Sequence, residues 1–196
     1  MSITFLIQSN SINLERYTIK DVPGSSGRLD VIARCVINAV TNRINPERNI
    51  KIIFFNKYKN LVFDSDNLDL GKFPKNELRL SDLIVKILKD SNNSKTIDSN
   101  VIGEYKGSKM LDYIKNFIKK NEQIFVLREN GKNIKKLISE INNDQNITFI
   151  IGNQSEDLIN SEEFQRLNLP EISLGSRSYL ASQVIRLIKI LLLSNK

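Results

Sequence analysis

Apolar residues fall into two rhythms along this chain. Residues 3–8, 50–56, 124–127 and 147–151 are short stretches with almost no polar interruption, and Ile172-Ser173-Leu174-Gly175 is a shorter one. Strands that are apolar throughout are buried on both faces, as in a parallel sheet covered by helices. Between them, apolar residues recur every three or four positions. Leu29, Ile32, Ala33, Val36, Ile37 and Val40 predict a helix over residues 27–42, and Met110, Leu111, Ile114, Phe117 and Ile118 predict one over 108–120. Shorter helices are predicted over 81–89, capped by Ser81, and over 133–141. Residues 61–63 read as the return strand of a hairpin that turns at 57–60. Residues 10–20 and 90–100 are polar and read as loops. This alternation predicts an α/β fold, a mostly parallel sheet flanked by helices.

The last predicted helix, over residues 179–193, has a different texture. Only Ser182, Gln183, Arg186 and Lys189 interrupt its apolar surface, so burial on more than one side is expected. One side suits the subunit's own core. The other suits a second copy, which predicts a homodimer through the C-terminal helix. Its most apolar run, residues 184–193, carries Arg186 and Lys189 and falls short of the ~20 residues that cross a bilayer. The first residues show no basic stretch leading into an apolar core. No secretory signal is therefore expected, and a cytoplasmic location follows.

Composition narrows the chemistry. A length of 196 residues suits one domain. There is no histidine and one cysteine, which removes histidine general bases, Ser-His-Asp and Cys-His arrangements, disulfide frameworks and ordinary zinc sites. No metal is expected. Lys and Arg number 29 against 22 Asp and Glu, a net charge of +7. The whole excess lies in residues 1–120, which hold 20 basic and 13 acidic side chains, whereas residues 121–196 hold nine of each. Solvated helix faces would account for such a block, and so would a basic front that meets a polyanion beside a neutral back that binds something small. Three back-half strands run into glycine-bearing loops, at 127–131, 152–154 and 174–178. Ligands of open parallel sheets bind beyond the carboxyl ends of strands, so these loops are a candidate small-molecule site. No GxGxxG and no GxxxxGK[ST] is present, which excludes the usual dinucleotide and P-loop fingerprints.

Asp21-Val22-Pro23-Gly24-Ser25-Ser26-Gly27-Arg28-Leu29-Asp30 is the most unusual decapeptide in the chain. It is similar to the N-terminal motif of the archaeal tRNA (pseudouridine(54)-N(1))-methyltransferases. Phe125-Val126-Leu127-Arg128-Glu129-Asn130-Gly131 resembles the second block of that family, Ile150-Ile151-Gly152 its third, and residues 173–182, from Ser173 to Ser182, its fourth. The blocks come in family order and span nearly the whole chain. The resemblance implies a single SPOUT methyltransferase domain over 1–196, with a basic RNA-facing part (1–120) and a C-terminal part (121–196) tied in a deep trefoil knot. It implies S-adenosyl-L-methionine as cofactor, tRNA as partner, a homodimer, and methylation of N1 of pseudouridine in the tRNA T-loop. The same chemistry on a ribosomal RNA pseudouridine, or RNA binding without catalysis, are the alternatives. Two departures stand out. The third block continues Asn153-Gln154-Ser155-Glu156-Asp157 where the family has Asp-His and then an apolar-Gly pair, and Gln183 stands where the family has a histidine.

The resemblance implies roles for individual residues. Asp30 is the candidate to accept the proton that leaves N1, and Arg28 is the candidate to contact a phosphate or the target base. Asp30 also suits an ordinary role: it lies in a first helical turn and stands four residues before Arg34, the spacing of a surface ion pair. Ser25, Ser26, Arg28 and Arg34 are candidate RNA contacts, with both serines equally suited to capping a helix. The amides of Ser25, Ser26 and Gly27 are expected to face outward, as an anion would need. Leu127, Gly131, Gly152, Leu174, Gly175, Tyr179 and Leu180 are the cofactor candidates. Arg16, Lys20, Arg43, Arg48, Lys51, Lys57 and Lys59 are available to RNA. Cys35 reads as an inert buried thiol.

Overall fold

The computed structural model describes residues 1–42, 45–69, 71–89, 103–105, 109–138, 146–152 and 158–193. Its strands are β1 (Ile3–Gln8), β2 (Thr41–Asn42), β3 (Asn45–Pro46), β4 (Ile50–Phe55), β5 (Asn60–Asp64), β6 (Gly103–Tyr105), β7 (Gln123–Asn133), β8 (Ile147–Ile151) and β9 (Glu171–Ser173). Seven of them form one sheet in the order β6-β5-β4-β1-β8-β7-β9. The five from β4 to β9 in that order run parallel, while β5 and β6 add antiparallel to one edge. A mostly parallel sheet is therefore borne out. The basic first part and the neutral second part share it, because β1 pairs with both β4 and β8. β2 and β3 make a separate two-stranded ribbon.

The helices are α1 (Val22–Ser25), α2 (Leu29–Val40), α3 (Glu77–Lys89), α4 (Met110–Lys119), α5 (Ile134–Ile138), α6 (Glu162–Gln165) and α7 (Ala181–Leu193). Strand alternation explains how they cover the sheet. Ile3, Phe5 and Ile7 of β1 join Ile52, Phe54, Phe149 and Ile151 in a core with α2, α3 and α7, while Leu6 joins Ile53, Val126 and Ile150 in a second core under α4 and Phe164 of α6. Each central strand feeds both cores, as expected of strands with no polar face.

α2 and α7 lie side by side and run the same way. The tie between them is Lys189 of α7, whose ammonium donates to the carbonyls of Asn38 (2.6 Å), Ala39 (2.9 Å) and Thr41 (3.0 Å) and pairs with Glu47 (2.9 Å). These carbonyls are the unpaired end of α2, where the helix dipole is negative. Burial pulls the Lys189 pKa down, against the hydrogen bond and charge of Glu47. The lysine that interrupts an apolar helix is thus the C-terminal cap of its neighbour.

Several boundaries differ from the sequence reading. The third helix begins at Glu77, four residues before Ser81, because Asn76 caps it by accepting from the Arg79 amide (2.9 Å). Ser81 is inside the helix, fully buried, and its hydroxyl has no partner among the described residues. The helix expected from Gly27 starts at Leu29, after a separate turn at α1. α5 is described only to Ile138, α4 begins at Met110 after an extended Lys109, and the expected loop at 90–100 lies outside the described residues. Residues 10–20 are not merely polar loop, since Ile12 and Leu14 are buried in the first core. The turn expected at 129–131 is instead strand. β7 continues to Asn133, and Ile172 faces both Leu127 and Lys132 across a register shift. No described helix is long and apolar enough to cross a membrane.

Candidate active site at the carboxyl edge of the sheet

Parallel strands end on one edge, and most of the sequence-derived candidates meet there. Phe54, Ile7, Ile151 and Leu127 stand in register across β4, β1, β8 and β7, and Ile172 of β9 is next to Leu127. Beyond this row come Ser9, Gly152, Arg128 and Ser173. α2 follows β1 and runs back along the sheet, so its N-terminus stands over the same edge. The start of α7 follows β9 and stands there too.

The turn that leads into α2 is built from three close contacts. Gly27 has φ +69, and a Cβ on it would come within 1.9 Å of the Ser11 carbonyl oxygen, so only glycine fits. The Ser11 hydroxyl donates to the Gly27 carbonyl (3.0 Å), and the Asn13 amide donates to that of Ser26 (3.1 Å). The Ser26 hydroxyl, wholly inside, accepts from the Leu29 amide (2.9 Å) and donates to the Val22 carbonyl. This corrects the expectation of Ser26 as an RNA contact: its hydroxyl is used up as the helix cap. Of the three amides expected to face outward, that of Ser26 is engaged, donating to the Val22 carbonyl (3.1 Å). Ser25 is half-buried, and its hydroxyl bonds the Thr18 segment and the Asp21 carbonyl.

Arg28 comes next, with φ 67 in the left-handed region that most side chains avoid. That conformation turns its guanidinium onto Asp30, two residues on. Nε and Nη2 donate to Oδ1 and Oδ2 at 3.2 and 3.3 Å, with the arginine side chain 65% exposed and the aspartate 9%. The expected Asp30–Arg34 pair is not formed. Arg34 instead grips Glu77 of α3 with two bonds of 2.7 Å, which push its pKa further up. Arg34 is thus a tie between α2 and α3. Burial holds the Cys35 thiol one residue further on at a pKa of about 12, as suits an inert core residue.

The start of α2 and the segments that follow β8 and β9 thus lie at the same edge of the sheet as the far end of β7. A family described as "Putative SAM-dependent RNA methyltransferase" matches residues 1–196. The chain belongs to this RNA methyltransferase family. A relative from Methanococcus maripaludis, named tRNA (pseudouridine(54)-N(1))-methyltransferase, is 30% identical over 94% of each chain. One of the same name from Thermococcus onnurineus is 26% identical over 96% of each. Among solved structures, Archaeoglobus fulgidus Nep1 bound to S-adenosylhomocysteine matches with a TM-score of 0.63 over 99% of this chain and 100% of that one, at 15% identity, a likeness of fold.

In this family member, two cofactor candidates, Leu127 and Gly131, lie within β7, and the others lie in the segments that follow β8 and β9. Leu127 and Leu174 are half-buried and pack against the first core, while Tyr179 and Leu180 are exposed just before α7. Gly131 is pressed against β9: a Cβ on it would lie 2.5–2.7 Å from the backbone of Ile172. Gly152 ends β8, and Gly175 faces open space. Residues 153–157, which carry the sequence departure, lie outside the described residues. The other departure has a visible role. Gln183 Oε1 accepts from the Leu180 amide (2.9 Å), reaching back to cap the start of α7.

Two neighbours of Leu127 were quoted in the sequence motif without a role. The Arg128 guanidinium donates to the Ile159 carbonyl (2.8 Å) and Asn160 (3.1 Å), beyond β8, and its Nε lies 2.8 Å from Glu171 of β9. Glu129 accepts from the Ser178 hydroxyl on the β9 loop. These two residues therefore fasten β7 to the segment that follows β8 and to β9 and the loop after it. Sequence gave only their adjacency to the glycine turn, because their partners lie 31 to 49 residues away. Of the available basic residues, Arg16, Lys20, Arg48 and Lys57 are exposed, Lys51 pairs with Asp64 (2.9 Å), and Arg43 lies outside the described residues. No group of three or more potential metal ligands occurs among the described residues.

Proposed function

We propose that this protein transfers a methyl group from S-adenosyl-L-methionine to N1 of pseudouridine in the T-loop of tRNA. The observation that carries the reading is the Arg28–Asp30 pair, which holds a carboxylate at the start of α2, on the edge of the sheet where the parallel strands end. Family membership and the names of the relatives support it. The residues fit an adenosine-type cofactor: partly exposed Leu127, Leu174, Tyr179 and Leu180 offer apolar surface, and the loops offer backbone groups. The cofactor supplies an electrophilic methyl group. The chain's own part is to hold the acceptor and move its proton. With the cofactor bound, the methyl group would leave its sulfur for N1, releasing S-adenosylhomocysteine, and the proton displaced from N1 would pass to the Asp30 carboxylate. Arg28 orients that carboxylate and is free on its exposed side to meet a phosphate. Arg128 and Glu129 keep the loops in one geometry, and proximity does the rest without a metal.

The same reading covers the assembly. Residues 1–196 act as one domain with an RNA-facing part up to residue 120. A knotted C-terminal part belongs to the same reading. Exposed Leu180, just before α7, and exposed Ile190 on it support a homodimer through that helix. A tRNA substrate goes with a cytoplasmic location.

The test is transfer from labelled S-adenosylmethionine to a tRNA transcript with and without pseudouridine installed in the T-loop. Label only in the modified RNA is expected. Cofactor binding without transfer would move the reaction to another RNA. Absence of both would leave an RNA-binding protein without catalysis.

A further inference from the structure

The hairpin between β4 and β5 opens at the same sheet edge, and its tip is organised to an unusual degree for an exposed turn. Asn56 Oδ1 accepts from the amides of Tyr58 (2.9 Å) and Lys59 (3.2 Å), and its Nδ2 donates to the Lys59 carbonyl (2.6 Å). One side chain thus closes the whole turn. Tyr58 stands at the tip and remains 41% exposed, a large aromatic surface to leave in water. Its hydroxyl reaches the Leu14 amide (3.4 Å) and the Ile12 carbonyl (3.5 Å), long contacts that still fix the far end of the ring. The Lys57 ammonium lies 5.3 Å from the ring centroid. The segment that holds Tyr58 is the one that holds the active-site turn, through Asn13 to Ser26 and Ser11 to Gly27.

An exposed ring with a fixed direction, a cation beside it and a rigid link to the Arg28–Asp30 turn has the features of a base-stacking platform. We propose that Tyr58 stacks on an unpaired base of the RNA that flanks the modified nucleotide, with Lys57 on the adjoining phosphate. The ring fixes where the neighbouring nucleotide lies, and so helps bring the target to Asp30. This rests on the RNA methyltransferase reading and adds a contact to it.

Tyr58→Ala, Tyr58→Leu and Tyr58→Phe separate stacking from packing. Each binds a T-loop tRNA in which 2-aminopurine replaces one loop nucleotide at a time, with thermal melting as the folding control. Stacking predicts fluorescence quenching at one loop position in the wild type and in Tyr58→Phe. Tyr58→Ala and Tyr58→Leu lose that quenching, bind roughly 5- to 100-fold more weakly and melt near the wild-type temperature. Lys57→Ala lowers the salt slope of binding by about 0.7. Full affinity in Tyr58→Ala, or affinity restored by leucine, overturns the stacking role while leaving the methyltransferase reading intact. A wild-type protein that binds no T-loop tRNA brings down both.

Discussion

Asparagine at position 30 keeps the shape of the side chain and removes its charge, and the structure lets the two consequences be sized separately. The Arg28 contact is partly solvated, with donor distances of 3.2 and 3.3 Å and the guanidinium 65% exposed, so its loss costs at most about 1 kcal/mol. Loss of a first-turn carboxylate from the α2 dipole adds about 0.3–1 kcal/mol. Together these lower the melting temperature by no more than roughly 4–8 °C for a chain of this size. Removal of a positioned proton acceptor costs about 10²- to 10⁴-fold in rate, or roughly 3–5 kcal/mol of barrier. Chemistry should therefore suffer well beyond stability. The assay is single-turnover methyl transfer to pseudouridine-containing tRNA, run below the melting point of Asp30→Asn, with RNA binding measured alongside. A rate loss of at least ~100-fold at unchanged RNA affinity is expected. A rate within about threefold of wild type would remove Asp30 from the proton transfer. A melting point lowered by more than ~10 °C would show the sizing of the ion pair to be wrong.

Three further perturbations test other parts of the argument. Lys189→Met leaves the Asn38, Ala39 and Thr41 carbonyls and Glu47 without their cation, so a loss of about 3–5 kcal/mol is expected in urea unfolding, partly recovered by adding Glu47→Gln. Gly131→Ala drives a methyl group into the Ile172 backbone, which cannot move without breaking β9 pairing; a loss of about 3 kcal/mol or more and weakened S-adenosylhomocysteine binding by calorimetry are expected. The Cys35 thiol, with its pKa held at about 12 against 9.0 for an ordinary thiol, keeps its proton when folded and loses it when unfolded as pH climbs past 9. Stability from this group is whole below pH 9 and falls above it by up to about 1.4 kcal/mol per pH unit, so the advantage of wild type over Cys35→Ala should shrink between pH 8.5 and 10.5.

What the sequence made legible follows from how local each feature is. Runs such as residues 147–151 carry their burial in composition, so the central strands and the parallel sheet could be read directly. β6, β2 and β3 are two or three residues long and leave no periodic trace. The start of α3 was signalled by Asn76 but masked by a serine at a plausible cap position inside the helix. The continuation of β7 through residues 129–133 was hidden by Glu129-Asn130-Gly131, a composition that signals a turn. Gly131 is there because the chain passes against Ile172, a contact made 41 residues on in sequence. Among site residues, position was legible where a loop follows a strand, and partner was not. Ser26 was rightly a candidate cap, and its burial settles which of its two readings holds.

The exchange of partners between Arg28 and Arg34 matters beyond the error it exposes. Helical spacing favours Asp30 with Arg34, but that rule assumes that no other element competes, and α3 brings Glu77 to Arg34 with two short bonds. Asp30 is left to Arg28, which reaches it only because Arg28 adopts a left-handed conformation just before the helix. A carboxylate held by Arg34, between two packed helices, would be locked. Held by a guanidinium that is 65% exposed, it sits at a solvated contact worth about 1 kcal/mol or less. On the proposed reading, a phosphate would meet the exposed side of Arg28 while the inner side keeps the Asp30 carboxylate oriented. The left-handed backbone at Arg28 is what lets one guanidinium face both ways.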